Sequence, residues 1–212
     1  MKFYESGDNR KPVIFLFPGT CCLYNSFDHV LDGLYSYFYT VAVSYDGFDP
    51  NEKTEFYSME DECEKIEQEI RTKYGGRIKA AYGCSLGGSF VSLLIQRKRI
   101  HIDHGIIGSS DMDEAGSFMA KLQSSIIVPI MYKMVHTGKL PKFTQNKINE
   151  ADESRKKLID GFVNMFGIDK GGSPWITKQS IYNQFYSDLV TKVQHGIDVP
   201  GTTIHVFYAT KM

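Results

Sequence analysis

Gly83-Cys84-Ser85-Leu86-Gly87 sets a serine between two glycines in the pattern G-x-S-x-G. An apolar run from Arg77 to Tyr82 climbs into this pentapeptide and reads as a strand. A second run, Ser89 to Ile95, leaves it and reads as a buried helix carrying Phe90, Val91, Leu93, Leu94 and Ile95. A serine on such a strand-to-helix turn sits in a strained backbone conformation that aims its hydroxyl at solvent. Side chains two residues before and after it would collide, which is what the two glycines avoid. The same turn puts the next amide, Leu86 N–H, at a helix N-terminus that favours developing negative charge. The chemistry open to this serine is nucleophilic attack on a carbonyl. Cys84 competes by reactivity but not by register, since only Ser85 has glycine on both sides at the required spacing, so Cys84 is expected to be a small, half-buried neighbour. The plain alternative is an ordinary glycine turn.

The elements that would carry this turn alternate along the chain. Lys2 to Glu5 fits an edge strand, and Val13-Ile14-Phe15-Leu16-Phe17 is a continuous apolar run, the sign of a central strand covered on both faces. It ends in the loop Pro18-Gly19-Thr20-Cys21-Cys22, at the strand end where open α/β sheets place their ligands. Ser26 to Phe38 has helical spacing, and Thr40 to Ser44 reads as a further strand, ending at Asp46-Gly47. That pair is most simply a turn, with a substrate-lining role for Asp46 as the alternative. Ser58 to Tyr74 is the clearest helix, capped by Ser58 and stopped by Gly75-Gly76, with Met59, Cys63, Ile66 and Ile70 as its apolar stripe and its charges expected on a solvated face. Arg97, Lys98 and Arg99 read as favourable charge at a helix C-terminus. Ile102 to Ser110 gives the next strand.

The alternation then stops. From Ala115 to Lys170 the pattern is helical, with one apolar surface of Met119, Leu122, Ile126, Ile127, Ile130, Met131 and Met134 and another of Leu158, Phe162, Met165 and Phe166. Ser180 to Val193 reads as a returning helix and Thr202 to Thr210 as a last strand. The expected division is therefore a core over 1–112, an inserted helical cap over 113–172 and a second part of the core over 173–212.

Composition excludes several classes. The 212 residues are enough for one domain with a sizeable core, and a net charge of −1 argues against a broad footprint for nucleic acid or anionic lipid. The start of the chain lacks the apolar segment of a signal peptide, and no run approaches a membrane span. The four cysteines, Cys21, Cys22, Cys63 and Cys84, form no C-x-x-C pair, which points to a reducing cytoplasm. The Gly83 to Gly88 turn fits neither G-x-G-x-x-G nor G-x-x-x-x-G-K-[ST], so phosphate binding is a poor reading. No His, Asp, Glu and Cys residues have ligand spacing; no metal or other cofactor is expected.

With the G-x-S-x-G turn, the apolar strand ending in Pro18-Gly19-Thr20 and the helical insertion after the next strand, the chain resembles the α/β-hydrolase superfamily, esterases and lipases in particular. The resemblance implies an α/β fold: a mostly parallel, doubly wound sheet with an inserted helical cap. It implies Ser85 as nucleophile and an oxyanion hole from the Leu86 amide and a second amide in the Pro18-Gly19-Thr20 loop. That loop has proline where the family usually has histidine; the Thr20 N–H is the first choice and Cys21 the next. Gly19, Cys21, Cys84 and Asp46 are the expected substrate contacts.

The family's usual order is nucleophile, acid, histidine. Its acid commonly follows the strand corresponding to Thr202 to Thr210 and its histidine one further strand. Neither position occurs before Met212, which suggests a sequence cut short by on the order of 30 residues. Some members carry the acid one strand earlier, which would be Asp111; otherwise Asp111 is a helix cap or a pocket-lining carboxylate. Of the six histidines (His29, His101, His104, His136, His195, His205), none follows a strand end in the family's place, and His136 in the cap comes nearest. Two readings follow. One is a serine hydrolase of a small or medium carboxylic ester or thioester; the other is a small-molecule-binding protein that keeps the fold without the catalysis.

Overall fold

The computed structural model describes residues 1–110, 114–140, 161, 163, 166 and 171–207. Strand β1 spans Lys2–Ser6, β2 Val13–Phe17, β3 Tyr39–Ser44, β4 Arg77–Cys84, β5 His101–Gly108 and β6 Thr203–Phe207. They form one six-stranded sheet in the order β1-β3-β2-β4-β5-β6. Only β1 runs antiparallel, pairing Lys2 with Ser44 and Ser6 with Thr40; the other neighbours are parallel. Parallel neighbours need helical crossovers, and those helices cover the sheet on both faces.

That coverage explains why β2 is apolar at every position. Ile14 and Leu16 face α1 (Asp28–Tyr35), where Leu31, Leu34 and Phe27 pack over them with Ala42 and Ala80. Phe15 and Phe17 face the other way, toward α2 (Met59–Tyr74) and α3 (Leu86–Arg97), and join Cys63, Ile66, Ile70, Phe90, Val91 and Leu94. Each such side chain fully buried contributes about 1.5–3 kcal/mol, so the two apolar layers fix the position of β2, and with it the loop at its carboxyl end. A short 3₁₀ turn, Tyr24–Phe27, opens the first helical segment.

The α2 helix begins and ends where its sequence indicates. The Ser58 hydroxyl accepts a hydrogen bond from Asp61 N–H at 3.1 Å, and Gly75 closes the helix in the left-handed conformation. Its charges depart from the expected solvated face: Glu62 and Glu67 are fully buried. Each has a cation beside it, Lys65 Nζ donating to Glu62 at 2.9 Å and Arg97 Nε donating to Glu67 at 2.6 Å. Arg97 and Arg99 thus act on α2 as well as on the end of their own helix.

After β5 the chain forms α4 (Ser117–Thr137), which contains Pro129 and packs against α5 (Lys178–Val190). The side chains α4 buries are small: Ala120, Ser124, Val128 and Val135. Met119, Leu122, Ile126, Ile127 and Ile130 lie on the exposed side, whereas Met131 packs partly against the core. Leu158, Phe162 and Met165 of the second expected stripe, and Tyr208 to Thr210 of the expected last strand, lie outside the described residues.

Candidate active site

Strand β4 enters the edge of the site and α3 leaves it with no intervening loop, so Ser85 alone makes the turn. It does so at φ 54°, ψ −126°, a conformation L-residues rarely hold and one that stores about 1–3 kcal/mol. Three backbone hydrogen bonds keep it there. Ser85 N–H donates to the Gly108 carbonyl of β5 at 2.9 Å, and the Ser85 carbonyl accepts from Gly88 N–H at 2.8 Å and Ser89 N–H at 3.3 Å. The glycines do what their spacing predicts. A β-carbon on Gly83 would run into the Gly87 carbonyl, and one on Gly87 into the Phe17 carbonyl at the end of β2. The result is an exposed serine between the half-buried Cys84 and the buried Leu86, framed by two buried glycines.

The second wall is the loop after β2. A β-carbon on Gly19 would lie 3.7 Å from Ser85 Cβ and 3.3 Å from the Cys84 carbonyl oxygen, so the loop packs against Ser85. Four hydrogen bonds shape this loop, the weakest from the Cys22 thiol to the Thr20 carbonyl at 3.6 Å. Tyr45 Oη, fully buried, donates to the Pro18 carbonyl at 3.2 Å, and Cys22 N–H donates to the Gly19 carbonyl at 3.0 Å. Cys21 N–H donates to Gln184 Oε1 on α5 at 2.7 Å. Cys21 itself is buried and left-handed, with φ 60°. Its amide, the second choice for an oxyanion donor, is therefore already occupied. Leu86 N–H stands in the first turn of α3, where a helix offers no carbonyl to its amides.

Ser85, Leu86, Gly19, Thr20, Cys21 and Cys84 thus meet at one corner of the sheet. Asp46 does not join them: it follows β3, two strands from β4, about 10 Å across the sheet. Its carboxylate is bound by the N-terminal ammonium and by Lys65 Nζ. Burial works to raise its pKa, but the hydrogen bonds from those two cations win and hold it below the ordinary carboxyl value. Its neighbour Glu62 goes the other way, pushed up to about 7 by burial and then by the Asp46 carboxylate. Asp111 lies outside the described residues.

The thiols beside the serine are poor rivals to it. Burial pushes Cys21 far up, takes Cys22 to about 12 with help from Cys84, and raises half-buried Cys84 too. A thiol must be a thiolate to attack, and these are held protonated at neutral pH. The Ser85 hydroxyl makes no hydrogen bond to any described residue. Of the histidines, His29 lines a groove on the α1 side, His104 and His205 pair with each other at 3.3 Å between β5 and β6, and His136 stacks near Tyr132 on α4. Among the described residues no three His, Cys, Asp or Glu side chains group as metal ligands, and no helix is long and apolar enough to cross a membrane.

The groove on the α1 side has a volume of about 360 Å³. It starts at Gly19 and Cys84 and is walled by Leu16, Phe27, Val30, Leu34, Tyr82 and Ile106. A larger cavity of about 770 Å³ lies beside Asp46, among Glu52, Lys53, Glu55, Tyr57 and Trp175, away from the serine. Sequence reasoning missed Tyr45 and Gln184, the two side chains that hold the loop. Gln184 is 163 residues from Cys21, and no local pattern marks it.

Comparison with solved structures places this architecture. An α/β hydrolase family protein from Desulfitobacterium hafniense superposes with a TM-score of 0.70 at 15% identity, covering 90% of this chain and 73% of its own. A carboxylesterase from Nitrososphaera gargenis gives 0.70 at 15%, covering 97% and 74%. The type II thioesterase of the borrelidin biosynthetic cluster gives 0.64 at 11%, covering 96% and 76%. Neither the family models nor the curated proteins give a match to this sequence. At such identities the likeness is one of fold: the chain has the mostly parallel α/β-hydrolase sheet with flanking helices.

Proposed function

We propose that this protein of α/β-hydrolase fold is a serine hydrolase that cleaves a small or medium carboxylic ester or thioester through an acyl-enzyme on Ser85. The observation that carries the reading is the backbone of Ser85, which holds a strained conformation on an otherwise buried turn and presents only its hydroxyl. In the first step Ser85 Oγ forms a bond to the carbonyl carbon and its proton passes to a general base. The tetrahedral oxyanion faces the amides of Leu86 and Thr20, each supplying about 3 kcal/mol. The base then returns that proton to the leaving group as the carbon–oxygen or carbon–sulfur bond breaks, releasing an alcohol or thiol, and water attacks the acyl-serine in the same way to release the carboxylic acid and restore the Ser85 hydroxyl. Asp111 is the candidate triad acid. An apolar groove starting at Gly19 and Cys84 supports a hydrophobic acyl or alcohol group.

Residues 113–172 are proposed to form a cap over this corner. Four unpaired thiols support a reducing, cytoplasmic compartment, and the near-neutral charge supports a small-molecule substrate over nucleic acid.

A second reading, a binding protein that has the fold without the catalysis, is favoured by one observation: no described histidine or carboxylate is hydrogen-bonded to Ser85. The two are separated by turnover of p-nitrophenyl acetate and butyrate and by labelling with a fluorophosphonate. Turnover and stoichiometric labelling that vanish in Ser85→Ala establish the hydrolase. Absence of both, in a folded protein, leaves the binding protein.

A further inference from the structure

The α5 helix carries a buried polar face that packs against two loops at the carboxyl edge of the sheet. Ser180 Oγ accepts from Phe56 N–H at 3.3 Å, Asn183 Nδ2 donates to the Phe56 carbonyl at 2.8 Å, and Gln184 Oε1 accepts from Cys21 N–H at 2.7 Å. Ser180 and Gln184 are completely buried. One turn of helix thus holds backbone groups from the segment after β3 and from the loop beside Ser85.

Gln184 is the informative member. Its acceptor is used, but its Nε2 finds no partner among the described residues although it is buried. A buried amide donor without a partner is destabilising, and an apolar side chain of the same size would avoid that loss. What a hydrocarbon could not do is accept the Cys21 N–H. Because that partner is a donor, it also fixes which way the Gln184 amide faces. Cys21 needs such a fixed point, since it holds φ 60° in a buried site without glycine's freedom. Tyr45 holds the Pro18 carbonyl at the other end of the loop. Between these two ties lie Gly19 and Thr20, with Gly19 packed close to Ser85.

We propose that Gln184 is a positioning residue for the oxyanion loop. By taking up Cys21 N–H it sets the plane of the Thr20–Cys21 peptide and leaves Thr20 N–H as the loop's free amide, facing the carbonyl under attack. This rests on the hydrolase reading above. Gln184 touches no reacting atom, and its effect on rate passes through the loop. An amide displaced by about 1 Å from an oxyanion loses on the order of 10²-fold in rate.

The test is Gln184→Met, which keeps the volume and removes the acceptor, beside Gln184→Glu, which keeps an acceptor at the same reach. Three quantities are read: kcat and KM on p-nitrophenyl butyrate, fluorophosphonate labelling of Ser85, and hydrogen exchange of the Cys21 and Phe56 amides in ¹⁵N-labelled protein. The expected result for Gln184→Met is a fall in kcat of about 10²-fold with KM within about threefold. Exchange should speed up at Cys21 but not at Phe56, and Gln184→Glu should recover at least about tenfold of the lost rate. Fast Cys21 exchange with unchanged kcat would overturn the proposal and leave the hydrolase reading intact. Equal losses in both variants, with exchange accelerated at Phe56 too, would show a packing role for α5 and overturn it as well. Wild-type protein that shows no Ser85-dependent labelling brings down the hydrolase reading itself, and the proposal with it.

Discussion

Replacing Ser85 by glycine should remove the proposed nucleophile and make the protein more stable. The wild-type backbone at this position, φ 54° and ψ −126°, carries about 1–3 kcal/mol of strain for any residue with a β-carbon. Glycine takes up that conformation freely, at the expense of about 0.5–1 kcal/mol of extra unfolded-state entropy. The serine side chain is exposed, so little packing is lost with it. The net gain is about 0–2.5 kcal/mol. Ser85→Ala is the control, because it also lacks the hydroxyl yet keeps the β-carbon and the strain, and it should stay within about 0.5 kcal/mol of wild type. For a chain of this size 1 kcal/mol moves Tm by roughly 2–4 °C, so the glycine variant should melt above the alanine variant by up to about 10 °C. Paired thermal unfolding by circular dichroism measures this directly. An alanine variant as stable as the glycine variant would mean that no strain is stored at Ser85, and the main argument for a functional turn would go with it.

Gly87→Ala should cost about 1–3 kcal/mol by urea denaturation and at least tenfold in kcat, since its β-carbon meets the Phe17 carbonyl and must push α3 away from β2. The buried Glu62 predicts a pH dependence of stability. Its folded pKa of about 7 lies above the ordinary 4.5, so between those values the folded state binds more protons and stability falls as pH rises. The full difference is about 3 kcal/mol, so relative to wild type Glu62→Gln should gain up to that amount between pH 4.5 and pH 8. Urea titrations at the two pH values that shift wild type and variant equally would refute this assignment.

The parts of the molecule read correctly from sequence are those that neighbours in the chain determine. The both-faced apolar run of β2, the Ser58 cap of α2 and the Gly83–Gly87 frame of Ser85 each follow from steric or burial rules acting over a few residues. The burial of Glu62 and Glu67 was not legible, because the stripe pattern of α2 ranks them as surface charges. Their cover comes from Lys65 on the same helix and from Arg97 and Arg99, thirty residues on. The apolar residues of α4 give the same lesson in reverse. Their spacing marks a helix face but does not say which face packs, and the small residues Ala120, Ser124 and Val128 are the ones buried.

The loop after β2 shows why a candidate site can be half readable. Gly83, Gly87 and Ser85 carry their geometry in their own backbone, so the position of the serine is settled by five residues. Thr20 and Cys21 have no such rule: whether an amide in that loop is free depends on what accepts from its neighbours. Gln184 Oε1 occupies Cys21 N–H, and that single hydrogen bond leaves Thr20 as the proposed donor. The deciding residue sits on α5, and nothing in its local sequence distinguishes it from a surface glutamine. Local backbone geometry places the Ser85 hydroxyl; tertiary packing decides which amides of the neighbouring loop are already bonded.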